Sequence, residues 1–151
     1  MGIPEHVNFN TLTEEVAVEF EKYGDRTQAA YLLYEPLLKT GIRLLHYVGA
    51  QDAICAWPGV LSFLKLLQSP FQDEFLRAPD VPWPTAQDAT VRVVGEGAGS
   101  MTYILIAQAG HFTGDEQVAR DQPELIKSIV EHWVENVPFG SGSMRSLDTE
   151  A

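Results

Sequence analysis

One stretch, residues 42 to 55, constrains the fold more than any other part of the sequence. It begins with an apolar run of strand length, Ile42 to Val48. Gly49 to Gln51 interrupt this run, and the carboxylate of Asp52 follows at the break. Apolar residues then resume from Ile54 through Leu67 with the spacing of a helix. A strand, a turn that carries an acid and then a helix is how open α/β sheets build sites at the carboxyl ends of their strands.

A second strand in the sequence also ends at a chemically useful side chain. Met101 to Gln108 have the composition of a strand, and Ala109-Gly110-His111 follow at its end. Thr90 to Val94 predict the strand before it. The glycine-rich segment between the two, Gly95 to Gly99, lacks the lysine and helix of a phosphate loop and predicts a hairpin turn. One acid and one imidazole therefore each lie just past the end of an apolar strand.

The rest of the chain predicts four or five helices around about three strands. Their expected segments are Thr11 or Thr13 to Gly24, Asp25 or Thr27 to Gly41 with a kink or break at Pro36, Trp57 to Gln68, a short helix within Ser69 to Phe75, and Pro123 to Asn136. The prolines around Trp83, in residues 78–89, predict an ordered loop. The pattern indicates an α/β fold with the strand at 42–48 in its centre. Because three strands make a narrow sheet, we expect another chain to complete it or another segment to cover its open edge.

The composition limits the kinds of partner and site. At 151 residues the chain fits one domain, which we expect to span residues 1–139, followed by a polar tail at 140–151. A formal net charge of −11 disfavours nucleic acid and anionic membranes as partners. No segment has the length of a membrane span, and the N-terminus lacks the pattern of a signal peptide. The single cysteine excludes an internal disulfide, and no histidine spacing indicates a metal site, so we expect no metal and no cofactor.

Several of the candidate residues also have ordinary structural explanations. Asp favours turns, so Asp52 could be a plain turn residue. Cys55 is expected to be a small buried hydrophobic residue. His46, inside the predicted strand, is expected to pack in the core or on a sheet face. His132, beside two glutamates on the last helix, is expected at the surface.

These motifs together resemble the C-terminal part of the serine carboxypeptidases, a branch of the α/β-hydrolases. The resemblance covers roughly residues 1 to 137. It rests on Leu37-Leu38-Lys39-Thr40-Gly41-Ile42, on Tyr47-x-Gly49-x-x-Asp52-x-Ile54-Cys55, on Ala109-Gly110-His111 and on Asp121-Gln122-Pro123-Glu124. The segment of Asp52 and the segment of His111 are specific when they occur together, in this order and 59 residues apart. The fold implied is the C-terminal half of an α/β-hydrolase sheet.

The resemblance implies a catalytic role for two residues and substrate contact for two more. The family runs its triad in the order Ser, Asp, His, so Asp52 corresponds to the acid and His111 to the base. Phe112 and Cys55 correspond to residues that line the pockets beside the scissile bond. The serine is missing, because the family's nucleophile motif lies in its N-terminal part and no Gly-x-Ser-x-Gly occurs in this chain.

This sequence departs from the family pattern in three places. The cysteine that the family usually has near Leu12 is absent, and Ala56 stands where an asparagine commonly follows Cys55. Asp121 follows His111 by ten positions where the family has five, so Thr113 to Arg120 contain an insertion beside the expected base. This insertion calls into question the shape of the substrate pocket, but not the fold.

Three functions follow as hypotheses from the resemblance. The first is that the chain is part of a serine carboxypeptidase that releases C-terminal amino acids from peptides. Its expected partner is an N-terminal chain that bears the serine, or a second copy of itself that covers the sheet edge, and the resemblance implies a secreted or vacuolar/lysosomal enzyme. The second is a free-standing half-fold without catalysis, which acts by binding or self-association. The third is an acyltransferase that shares the same site.

Overall fold

The computed structural model describes residues 13–83, 88–111 and 121–139. The chain divides into two compact units, Met1–Ala30 and Tyr31–Ala151. In the first unit, helix α1 spans Glu14–Lys22, and a 3₁₀ turn follows at Asp25–Thr27. Two glutamates in the first turn of α1 complement its dipole, and Gly24, with a φ of 71°, lies just past its end as predicted.

The second unit contains a mixed four-stranded sheet, which confirms the predicted α/β fold. Its strands are β1 at Leu44–Gly49, β2 at Val81–Pro82, β3 at Ala89–Val94 and β4 at Met101–Ile106. They lie in the order β1-β4-β3-β2. β1 runs parallel to β4, whereas β3 is antiparallel to both β4 and β2. The glycine-rich segment before β4 forms the predicted hairpin turn, in which the backbone N–H of Ser100 donates to the carbonyl of Val94.

The sheet corrects two predictions. β1 was expected at the centre, but it forms one edge of the sheet in the described part of the chain, with Tyr47 42% exposed. An uninterrupted apolar run indicates that a strand is covered on both faces, but it does not show which strands lie beside it. The fourth strand, β2, lies within the predicted loop and pairs two residues with Thr90 and Val91. Two residues are too few to show a period, and Pro82 suits only an edge position.

The described residues of this unit form four α-helices. They are α2 at Tyr34–Lys39, preceded by a 3₁₀ segment at Ala30–Leu33, α3 at Trp57–Leu66, α4 at Gln72–Arg77 and α5 at Pro123–Glu135. The long helix expected to start at Asp25 or Thr27 is therefore wrong, because only short 3₁₀ pieces precede α2. Pro36 is the third residue of α2, where its missing N–H has no intrahelical acceptor. None of the described helices has the length and apolar character needed to cross a membrane.

Helices pack on both faces of this sheet because its strands alternate. Ile104 and Ile106 of β4 join a core with Ile129 of α5, whereas Tyr103 joins a second core with Leu64 of α3.

The inward face of α5 is narrower than predicted. Ile126, Ile129 and Trp133 contribute to the core that contains Ile104 and Ile106, as expected. The other two residues expected to face inward do not, because Val130 is 47% exposed and Val134 is 72% exposed.

His132 is also placed differently from the prediction. Its ring stacks on Phe139 at 5.5 Å between centroids and meets the edge of Trp83 at 5.3 Å, so it packs against the core instead of lying at the surface. His46 packs as predicted, with its ring against Tyr34 and Phe63. Burial lowers the pKa of His46 below its ordinary value.

Candidate active site

The parallel pairing of β1 and β4 brings their carboxyl ends together. Gly49, the last residue of β1, pairs with Ile106, the last residue of β4. Past this pair the backbone stays joined, because the N–H of Ala50 donates to the carbonyl of Ile106 at 2.8 Å and that of Gln51 to the carbonyl of Ala109 at 3.0 Å. The turn that carries Asp52 and the segment that leads to His111 therefore form one hydrogen-bonded unit.

Gly49 allows this close approach of the two backbones. A Cβ atom at this position would lie 2.1 Å from the carbonyl oxygen and 2.5 Å from the carbonyl carbon of Ala109. Both distances are far shorter than any contact that a real Cβ makes, and the atoms concerned are backbone. Only glycine lets the end of β1 lie against Ala109 without displacing it.

Asp52 is held by backbone and side-chain hydrogen bonds. Its side chain is 4% exposed. One oxygen, Oδ1, accepts from the backbone N–H groups of Ile54 at 2.9 Å and Cys55 at 2.7 Å. Burial acts to raise the pKa of Asp52, but the hydrogen bonds from Cys55, His111 and Ile54 together outweigh it and hold the pKa below its ordinary value. The carboxyl group is therefore ionised at neutral pH.

The second oxygen of Asp52 binds His111. Oδ2 lies 2.7 Å from Nδ1 of the imidazole, within charge-assisted hydrogen-bond distance. Because an ionised carboxylate can only accept hydrogen bonds, Nδ1 carries the proton and its N–H donates a hydrogen bond to Oδ2 of Asp52. In this tautomer Nε2 bears the lone pair, and it makes no hydrogen bond to any residue that the structure describes. The His111 side chain is 32% exposed, so a substrate or a second segment can reach it.

Asp121 supports the segment that carries His111, a contact that the sequence analysis did not foresee. Its Oδ2 accepts from the backbone N–H of Gly110 at 3.1 Å. This carboxylate belongs to the Asp-Gln-Pro motif quoted above for the family resemblance, and that motif was the signal available in the sequence. A second acid, 11 residues after Gly110, therefore fixes the backbone next to the imidazole.

The two residues predicted to contact substrate have different outcomes. Cys55 was expected to be buried, but its side chain is exposed, because the turn after Asp52 directs it away from both cores. Its contact with substrate stays a prediction. Phe112 lies outside the described residues, as does the insertion at Thr113 to Arg120.

The exposed thiol also lies beside the Asp–His pair. One ligand atom each from Asp52, Cys55 and His111 lies within 4.8 Å of the other two, a grouping that could hold a metal ion. The search for histidine spacings in the sequence missed this group, because two of its members come from one turn and the third follows a different strand.

Chemically, an imidazole held in this way by a carboxylate can accept a proton at Nε2. The ionised acid fixes the tautomer of the imidazole and stabilises the imidazolium that forms when Nε2 accepts a proton. Among the described residues, no serine hydroxyl is hydrogen-bonded to Nε2. The described part of the chain thus holds an Asp–His pair with the hydrogen-bond geometry that a Ser-His-Asp arrangement requires of its acid and base.

Comparisons with known proteins give a consistent result. The model of one protein family, described as serine carboxypeptidase, matches residues 1–136. The chain is 31% identical over 99 residues to serine carboxypeptidase-like 48 of Arabidopsis thaliana, covering 66% of this chain and 18% of that protein. It is 27% identical over 148 residues to carboxypeptidase Y homolog A of Ajellomyces capsulatus, covering 87% of this chain and 26% of that protein. The chain thus spans about a quarter or less of the length of these curated relatives.

Proposed function

This chain belongs to the serine carboxypeptidase family, and we propose that it forms the part of such an enzyme that contributes the acid and the base of the triad. Asp52 is the acid and His111 the base. The serine comes from a segment outside these 151 residues, either on the same polypeptide or on a second chain. The observation that carries the proposal is the 2.7 Å hydrogen bond between Nδ1 of His111 and Oδ2 of Asp52.

The proposed reaction removes one amino acid from the C-terminus of a peptide. The serine oxygen attacks the carbonyl carbon of the last peptide bond, and Nε2 of His111 takes the proton from the serine hydroxyl. The imidazolium then gives that proton to the amino group of the departing amino acid, leaving an acyl-serine. A water molecule, deprotonated by the same nitrogen, attacks the acyl-serine, and the proton returns to the serine oxygen. Throughout, Asp52 keeps Nδ1 protonated and pointing away from the substrate.

An exposed edge and exposed apolar side chains support a covering segment beside β1. In the described part of the chain β1 pairs only with β4, so the backbone groups along its other edge have no strand beside them. Four large apolar side chains in and around this strand are exposed: Ile42 by 54%, Tyr47 by 42%, Ile54 by 58% and Trp57 by 37%. A segment that carries the serine would cover this edge and complete the site. By its family, we also propose a secreted or vacuolar/lysosomal location.

Native mass spectrometry and covalent labelling test this proposal together. The protein is purified from its source without denaturation and treated with a serine-directed phosphonate. We expect an adduct on a serine outside the 151 residues, and we expect a His111→Gln variant to react far more slowly. Asp73→Asn, which changes an exposed acid on α4, is the control and should react like the wild type.

Two results would contradict the proposal. One is an adduct on a serine within the 151 residues, because the nucleophile would then belong to this chain. The other is a homogeneous 16.7 kDa species with no adduct, which would favour the alternative of a non-catalytic half-fold. The absence of a Gly-x-Ser-x-Gly motif from this chain is the observation that motivates this alternative. It predicts a self-associated form that buries the edge of β1.

A further inference from the structure

The exposed thiol of Cys55 adds a different chemical possibility to the Asp–His pair. Thiolate sulfur, imidazole nitrogen and carboxylate oxygen are the three kinds of ligand that proteins use for zinc. One such atom from each of Cys55, His111 and Asp52 lies within 4.8 Å of the others. We propose that these three side chains bind one Zn²⁺ ion, and that the bound ion blocks the Asp–His pair.

The distances show that the site needs only small side-chain movements. In a tetrahedron built from ordinary zinc bonds, neighbouring ligand atoms are about 3.3 to 3.8 Å apart. The three ligand atoms of this cluster lie within 4.8 Å of one another. Two atoms at that limit would need to approach each other by only roughly 1 Å to reach the tetrahedral spacing. Cys55 is exposed and can make this movement by rotating its side chain.

The same comparison explains why zinc and the Asp–His hydrogen bond exclude one another. Oδ2 of Asp52 and Nδ1 of His111 are 2.7 Å apart, which is shorter than the tetrahedral spacing and leaves no room for an ion between them. The ion therefore has to separate these two atoms or rotate the imidazole. In both cases the imidazole nitrogen that binds zinc is no longer a base.

The backbone around Asp52 prepares two of the three ligands. The N–H groups of Ile54 and Cys55 both donate to Oδ1, which fixes the carboxylate and leaves Oδ2 for the ion. The hydrogen bond from the Cys55 N–H closes a tight turn, which keeps Cys55 close to Asp52. Three protein ligands leave one position for water, as in open zinc sites. The thiol releases its proton to the solvent when it binds, so affinity rises with pH.

Cobalt is the spectroscopic probe for this site. Metal-free protein, as the full 151-residue chain, is titrated with Co²⁺ while visible and near-ultraviolet absorption is recorded. We expect tetrahedral d–d bands and a thiolate-to-cobalt charge-transfer band that saturate at one ion per chain, and both should disappear when Zn²⁺ is added. Absence of the charge-transfer band at millimolar Co²⁺ would overturn the proposal.

Two variants test two of the three ligands, with Asp73→Asn as the control for Asp52→Asn. Cys55→Ser should abolish the charge-transfer band and weaken zinc binding at least about tenfold, since even loss of a supporting partner weakens metal sites by about 10- to 100-fold. Asp52→Asn should also weaken binding, whereas Asp73→Asn on α4 should not. Circular dichroism shows whether each variant is folded. A folded Cys55→Ser variant with wild-type zinc affinity would overturn the assignment.

The inference does not depend on the proposed catalytic role, because binding needs neither serine nor peptide. Its second readout is the low-field proton resonance of the imidazole N–H that donates to Asp52. One equivalent of Zn²⁺ should remove this resonance, and a chelator should restore it. A resonance that persists in zinc-saturated protein would contradict the exclusion between ion and hydrogen bond, while leaving the proposed function intact.

Discussion

Gly49→Ala is predicted to separate Asp52 from His111 without touching either residue. The new Cβ would lie 2.1 Å from the carbonyl oxygen of Ala109, and real Cβ atoms essentially never come closer than 3.0 Å to such an atom. The two backbones must therefore move apart by about 0.9 Å at this point. If the Asp–His distance of 2.7 Å lengthens by the same amount, it reaches about 3.6 Å, which is no longer a hydrogen bond.

The substitution should also destabilise the chain. Overpacking typically costs about 1 to 3 kcal/mol, and the upper part of this range is expected because backbone atoms cannot rotate out of the way. For a chain of this size, about 2 to 3 kcal/mol corresponds to a melting temperature roughly 5 to 10 °C lower. Thermal unfolding measures this loss, and the low-field imidazole proton resonance reports on the hydrogen bond.

Gly59→Ala is the matched control. Gly59 lies in α3, and a Cβ there would have nothing within 4 Å. This variant should keep the His111 resonance and gain up to about 1 kcal/mol, because alanine favours a helix more than glycine does. The reasoning fails if Gly49→Ala keeps both the resonance and a melting temperature within a degree or two of the control.

Three further substitutions test packing and charges in the second unit. Burial lowers the pKa of His46 below 6.5, so the unfolded state binds a proton at this residue more readily than the folded state does. The free energy of unfolding should therefore be highest above about pH 6.5 and should decrease as the pH falls from there towards the folded-state pKa. Urea unfolding between about pH 7.5 and 5.5 should show a smaller loss in His46→Gln than in the wild type, and equal losses would refute this explanation. Asp80→Asn leaves the buried guanidinium of Arg92 without its bidentate partner. Because Asp80 is 42% exposed, water can partly replace it, and we expect the free energy of unfolding in urea to fall by about 1 to 2 kcal/mol. A loss no larger than that of Asp73→Asn would show that this ion pair contributes nothing. Asp121→Ala removes the acceptor of the Gly110 N–H and should cost about 1 kcal/mol while broadening the His111 resonance; an unchanged resonance would mean that Asp121 does not position the imidazole.

The sequence predicted the elements whose apolar pattern is long and regular. β1, β3 and β4 are runs of apolar residues, and α3 and α5 have wide apolar faces, so tertiary packing agrees with the local pattern. β2 pairs only two residues and has no period to detect. The helix expected from Asp25 or Thr27 did not form because the residues before α2 adopt short 3₁₀ turns instead.

Side-chain exposure was harder to predict than the type of each element. His132 has acidic neighbours along the helix, which suggested a surface position, but its contacts with Trp83 and Phe139 come from distant parts of the sequence. Cys55 is an apolar residue type, yet it follows a tight turn that places it outside both cores. In both cases the deciding contacts are tertiary, and single-residue preferences do not contain them.

The contact between Asp52 and His111 was predictable from the sequence, but the residues that support it were not. An acid and an imidazole after two strand ends could be identified because parallel strands of one sheet end at the same edge. Their meeting also requires that Gly49 be paired with Ile106, a register that the sequence pattern does not specify. The hydrogen bond from Gly110 to Asp121 depends on the path of the chain after His111, which local patterns do not predict either.

The most decisive measurement is the turnover number for release of a C-terminal amino acid from a blocked dipeptide, using the native assembly with its serine-bearing segment. Asp52→Asn removes the acceptor charge beneath His111 while keeping the shape of the side chain, and Asp73→Asn makes the same change at an exposed site on α4. We predict that kcat falls about 10⁴-fold in Asp52→Asn, as expected when the base loses the acid that fixes its tautomer, and stays at the wild-type level in Asp73→Asn. An Asp52→Asn enzyme that keeps a tenth or more of the wild-type kcat would show that Asp52 and His111 do not act as the catalytic pair.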